Sequence, residues 1–264
     1  MEYLEIAKLV FQIAFWSIIA TIAILTYRRA RSTILQPIRT EVFKAQLGEL
    51  THIMALFVGK NELELREAFV FEKLLYANTC SMYDSYAAIF FDVDIDRKKR
   101  PYNIQDCPHS RFNKDYAAKH LVVMQGYIRQ ESPPSKVDKT DPRIRAAMWS
   151  EFTYGELRIP SEFSEMEERL GLFLETPVLP TRCITLIEEY NKLVSCNLEM
   201  IGKILDDAAK EMIAKYPSLE ALNQASFDWI RKMYINEFIN LKPKAEEIIS
   251  YVRSYYRVDD VMSV

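Results

Sequence analysis

Glycine is scarce in this chain, with six in 264 residues, where average usage of about 7% would supply roughly three times as many. Runs of β-branched residues in strict alternation are scarce too. The two shortages argue against a sheet-rich fold and leave helices as the main element. No glycine-rich phosphate or dinucleotide loop occurs, and no serine lies in a nucleophile-elbow setting, which removes the common nucleotide-binding and hydrolase readings. The four cysteines, Cys80, Cys107, Cys183 and Cys196, show no close paired spacing. They form neither a redox motif nor a disulfide framework and are expected as free thiols. An excess of one charge is missing as well: 34 basic against 37 acidic residues give a net charge of −3. Global attraction to nucleic acid is therefore not expected.

One long apolar run is present. From Leu9 to Tyr27 the chain reads LVFQIAFWSIIATIAILTY, nineteen residues without a charge, close to the roughly 20 that a helix needs to cross a bilayer core. Glu2 and Glu5 precede the run, with Lys8 the one basic residue on that side, and Arg28, Arg29 and Arg31 follow it. A cleaved signal peptide has the opposite arrangement, with positive charge first and a small-residue cleavage site after. The run thus predicts an uncleaved anchor over residues 1–31 with a basic cytoplasmic flank. Because Lys and Arg gather on the cytoplasmic side, the short N-terminus is expected outside and residues 32–264 in the cytoplasm, at the inner membrane in a bacterium. No later stretch reaches spanning length. Turned at 100° per residue, Ala7, Ala14, Ser17 and Thr21 share one stripe of the anchor, a face on which two such helices can approach closely.

The expected fold class is all-α, a single N-terminal transmembrane helix followed by a multi-helix bundle with long helices. Pro37 predicts a break or kink after the anchor. A helix over 40–58 then carries Phe43, Leu47, Leu50, Met54 and Phe57 on one face. Asn61 with Glu64 reads as a capping box opening one long helix from Glu62 to about Phe91. Residues 92–114 and 132–143, rich in proline and mixed charge, read as loops, with a helix near 115–129 between them. Residues 149–159 alternate in part and suggest extended chain. A short helix capped by Ser161 runs to about Leu174, and the most regular helix spans Thr181 to about Lys215. Its apolar face uses Ile187, Tyr190, Val194, Ile201, Leu205, Ala208 and Met212. Asn197 sits in that seam, where a polar residue either fixes register with a partner helix or bonds to a nearby backbone group. Helices over 218–240 and 243–256 complete the bundle.

Three weaker patterns bear on chemistry. Asp92, Asp94 and Asp96 follow an apolar run, as the nucleophile motif of haloacid dehalogenase-like phosphatases does, but the run is helical in pattern and no alternation of strands and helices follows. As a calcium loop the same stretch has Arg97 where glycine is needed and Asn103 where glutamate is needed. The run Arg97, Lys98, Lys99, Arg100 is balanced by these acids and reads as a solvated loop. Cys107, His109 and His120 lack a fourth ligand for a structural zinc site. No cofactor, metal, nucleic acid or small-molecule substrate is thus called for. The expected partners are the lipid bilayer and, through helical surfaces, a second copy or another protein. The reading that follows is a non-enzymatic, membrane-anchored interaction protein with a scaffold or signalling role. The alternative is a membrane-perturbing effector of a stress or antiviral defence module, and the third is an enzyme using the three aspartates.

Overall fold

A computed structural model describes residues 2–98, 100–102, 104–112, 116–118 and 141–256. Among the described residues 78% are helical, with one antiparallel two-stranded sheet. It divides into two compact units, residues 1–55 with 177–179 and residues 56–176 with 180–264.

The first unit is essentially one helix. Helix α1 runs from Glu2 to Phe57 and passes through Pro37, where a break or kink was expected. Proline removes one backbone N–H and crowds the carbonyl four residues back, Thr33's here. All described side chains from 36 to 45 are exposed, so that carbonyl is not sealed in a core, and the helix continues. Hydroxyls along α1 are absorbed by the helix itself. Ser17 donates to the Ile13 carbonyl (2.8 Å), Thr21 to Ser17 (2.8 Å), Thr33 to Arg29 (2.9 Å) and Thr40 to Gln36 (2.9 Å). Gln46 donates to the Val178 carbonyl at 2.7 Å, tying the 177–179 segment to the helix. Gly59, at φ 76°, stops α1. Glycine takes this left-handed conformation without steric cost, and Lys60 N–H closes the turn on the Phe57 carbonyl.

In the second unit, α2 (Glu62–Ala68) opens with the expected capping box. Asn61 accepts from the Glu64 N–H at 3.0 Å and Glu64 accepts from the Asn61 N–H at 2.7 Å. The single helix expected from Glu62 to Phe91 is instead interrupted at Phe69 and Val70, and α3 (Phe71–Tyr86) starts afresh. In an unbroken helix residues 69 and 71 would point about 200° apart. Both rings are fully buried and both meet Phe163, at 5.9 and 5.8 Å between centroids. The break turns the two onto one core. It leaves Val70 at φ 45°, a conformation that costs a β-branched residue roughly 1–2 kcal/mol. A π-helical segment, Ala87–Phe91, follows α3 and ends at Asp92 with φ 57°.

Within the segment read as a loop lies strand β1 (His109–Phe112). It pairs antiparallel with β2 (Glu156–Ile159), His109 opposite Ile159. Between them α4 (Pro142–Ser150) is capped by Asp141, so Trp149 and Ser150, expected as extended chain, are helical. The rest of the 115–129 helix beyond residues 116–118, and His120 with it, lie outside the described residues, as does most of 132–143. Asn78, buried in mid-helix, joins α3 to β2. Its amide donates to the Arg158 carbonyl (2.7 Å) and accepts from the Arg158 N–H (2.9 Å), completing the ladder that β2 lacks on that side.

Helix α5 (Ser161–Glu175) begins with Ser161 as its first residue rather than its cap, which is Pro160. Helix α6 (Thr181–Lys215) has the expected bounds, and all seven expected apolar residues are buried. The helix expected over 218–240 is two, α7 (Leu219–Asn223) and α8 (Asp228–Glu237). Tyr83 donates to the Leu222 carbonyl at 2.7 Å and packs edge-on against Phe227. The Leu222 carbonyl also accepts from the Ala225 N–H at 3.1 Å, so the turn and the tyrosine share it where the helix ends. Helix α9 (Lys242–Tyr256) starts on Glu62, whose carboxylate accepts from the N–H groups of Leu241 (3.1 Å) and Lys242 (2.8 Å). A carboxylate there satisfies orphan donors and faces the positive end of the helix dipole.

Candidate functional site

The most unusual surface belongs to α1. Leu9, Val10, Phe11, Ile13, Phe15, Trp16, Ile18, Ile22, Ile24 and Leu25 are each more than half exposed, Phe11 at 81%. The helix is long and apolar enough to cross a membrane, and none of its most apolar 18-residue window is buried. Monomeric soluble proteins rarely leave contiguous apolar surface on this scale facing water. Ala14, Ser17 and Thr21 fall on this helix and are exposed; Ala7 lies on it too, with its side chain outside the described residues. Ser17 and Thr21 have their hydroxyls bonded inside the helix, so the stripe they form is sterically small without presenting an unsatisfied donor. Arg28, Arg29 and Arg31 follow on the same helix, all exposed.

Asn197 is fully buried on α6. Its amide donates to the Ile239 carbonyl at 2.9 Å and its oxygen accepts from the Ile239 N–H at 2.8 Å. Both ends of the side chain are used within the chain, clamping α6 to the segment after α8.

The acidic run does not assemble into a site. Asp94 is 95% exposed and its oxygen accepts from the Ile95 N–H, while Asp96 accepts from the Lys98 N–H at 3.0 Å. Among the described residues no group of three His, Cys, Asp or Glu side chains is placed to hold a metal ion. The basic run departs from the solvated loop that was expected. Arg100 folds back onto α3 and binds Asp84 with both terminal nitrogens, at 2.9 and 2.5 Å. Arg97 adds its Nε at 2.9 Å. Arg100 and Asp84 are each only 13% exposed, a depth at which a charge needs its partner. Nothing in the sequence marks Asp84 as that partner, because it precedes Arg100 by sixteen residues and looks like any polar helix position.

Two further features of the second unit were not visible in sequence. A cavity of about 370 Å³ is lined by Glu72, Tyr76, Tyr102, Phe227, Asp228 and Arg231, among others; Glu72 there accepts from Arg231 at 2.9 Å. Next to Glu72, Arg66 lies 4.2 Å over the Phe238 ring, with its Nη2 3.7 Å from Glu72. Several titratable groups altered by burial are structural in placement: desolvation pushes the Cys183 thiol up to about 11 and the Tyr86 phenol up to about 12, and raises Tyr154, Tyr190 and Tyr234 as well. Asp206 is also raised by burial, although it accepts the Tyr154 N–H.

No protein-family model, no curated protein and no solved structure matches this chain.

Proposed function

We propose that this chain is a single-pass membrane-anchored protein whose helical body acts through protein–protein contact or self-association, in a scaffold or signalling role. The observation that carries the reading is the exposed apolar surface of α1 from Leu9 to Leu25. Its backbone groups are satisfied within one helix and its hydroxyls are bonded internally, as the hydrocarbon core of a bilayer requires. Arg28, Arg29 and Arg31 put the N-terminus outside and the body in the cytoplasm by the positive-inside rule. The stripe of Ala7, Ala14, Ser17 and Thr21 is the face through which anchors associate. Asp92, Asp94 and Asp96 carry no catalytic role in it.

The test is full-length protein in cells, fractionated with carbonate, mapped by protease from each side and crosslinked in mild detergent. Carbonate-resistant protein, a body cleaved only from the cytoplasmic side, and dimers weakened by leucine at Ala14 and Thr21 are expected. Release by carbonate would overturn the anchor, and a monomer that retrieves no partner would overturn the interaction role. Loss of membrane potential on expression, dependent on α1, would replace the scaffold reading with a membrane-perturbing one.

A further inference from the structure

The loop after α3 closes a second cavity, of about 260 Å³, whose walls carry Arg97, Lys98 and Arg100 against a single carboxylate, Asp84. Three cations to one anion leave an excess of two positive charges in the walls. We infer that this cavity is an anion site for a dianionic phosphate group, the terminal phosphate of a monoester.

The geometry supplies the reasons. Asp84 takes two nitrogens from Arg100 and the Nε of Arg97. It holds two guanidinium planes on one carboxylate and fixes side chains that would otherwise be flexible. Pre-organised guanidinium groups keep further N–H donors for an oxyanion, and their planar fork suits phosphate. Lys98 lies in the wall and makes no ion pair among the described residues, its backbone N–H alone being engaged, by Asp96. Gln105 and Ser81 add neutral hydrogen-bonding side chains, while Ala77 and Ile104 give the wall an apolar portion. The volume exceeds that of a bare phosphate, and the apolar portion suits the first carbons of an ester.

The neighbouring acids do not cancel this field. Asp94 is 3.8 Å from Arg97 but 95% exposed, and neither it nor Asp96 lines the cavity. An ion pair to so exposed a carboxylate is weak because water surrounds both partners, so Asp94 offsets little of the charge in the wall.

The experiment is calorimetric titration of inorganic phosphate into the full chain in nanodiscs of neutral phosphatidylcholine, repeated with discs containing phosphatidic acid. Saturable binding is expected in neutral discs. Lys98→Glu, at an exposed position, should weaken it about tenfold or more, the equivalent of one charge-assisted hydrogen bond. Lys203→Glu makes the same charge change on α6 outside the cavity and should leave binding as it was. If phosphatidic acid competes with phosphate, the ligand is a lipid headgroup; if it does not, the ligand is a soluble phosphate ester. Both results support the site. Absence of binding up to about 10 mM phosphate, or equal weakening by Lys98→Glu and Lys203→Glu, overturns it. This result is independent of carbonate resistance and crosslinking, so the anchor and the anion site can fail separately.

Discussion

Helices α1 and α6 are the two longest described elements, 56 and 35 residues, and they solve opposite problems. In α6 the apolar residues keep to one stripe, which is buried from Cys183 to Met212, while charged residues take the other side. In α1 the apolar residues of the first thirty positions go all the way round, and those described are exposed. Burial begins only near Leu50. An amphipathic helix is stabilised by neighbours in its own chain, whereas an all-round apolar helix that lacks such neighbours is stabilised by apolar surroundings from outside the chain. A helix's share of apolar residues therefore says less about its environment than their angular distribution does.

The largest effect expected from that contrast comes from charging α1. Ile18→Arg with Ile22→Arg should abolish membrane retention, because each arginine at the centre of a span costs about 2.5–3.5 kcal/mol on insertion scales. Thermal unfolding of the body, followed by near-ultraviolet dichroism, should not move. A drop in body stability would show that α1 is a core helix and end the contrast. Next is Trp149, 2% exposed and donating from Nε1 to the Ala209 carbonyl at 2.8 Å. Trp149→Ala should lower body stability by about 3–5 kcal/mol in denaturant titrations, with membrane retention unchanged.

Asn197→Ala tests whether the polar residue in the α6 seam serves the chain or a partner. Freeing both backbone groups of Ile239 should cost about 1–3 kcal/mol at every protein concentration. A change of oligomeric state at constant monomer stability would instead assign Asn197 to an interface. The last test is alkaline. Cys183 and Tyr86 are buried and neutral, with folded values near 11 and 12 against ordinary values of 9.0 and 10.0. The unfolded chain releases these protons first, so stability is complete below about pH 9 and falls as pH rises through the 9–12 window. The slope is about 1.4 kcal/mol per pH unit for each group. Cys183→Ala should flatten the 9–11 part of a stability–pH curve, and an unchanged slope would place the thiol in contact with water.

Elements with a local signal were legible before the structure. The capping box at Asn61, the bounds of α6 and the apolar identity of α1 each depend on residues within a turn or two of one another. Where two signals competed the sequence misled. Phe69 and Phe71 fit a helical pattern as well as their neighbours do, yet burying both rings against Phe163 requires the break at Val70. Pro37 reads as a break or kink, and the helix does not break there, because the carbonyl that it orphans lies on a helix with exposed sides, where losing one internal bond is tolerable. The candidate anion site was hidden for a different reason: Asp84 and Arg100 meet only because the loop doubles back, and a separation of sixteen positions leaves no spacing to recognise.

By itself the sequence determined that this protein is helical, that one N-terminal helix is apolar on every side and that basic residues follow it, because periodicity, composition and flanking charge are local properties. Only the tertiary structure decided which polar groups find each other: Glu62 on the start of α9, Asn78 on β2, Asn197 on Ile239, and Arg97 with Arg100 on Asp84. Such pairs form when desolvation leaves a buried donor or charge no water to bind. Which groups are buried is set by how the whole chain packs.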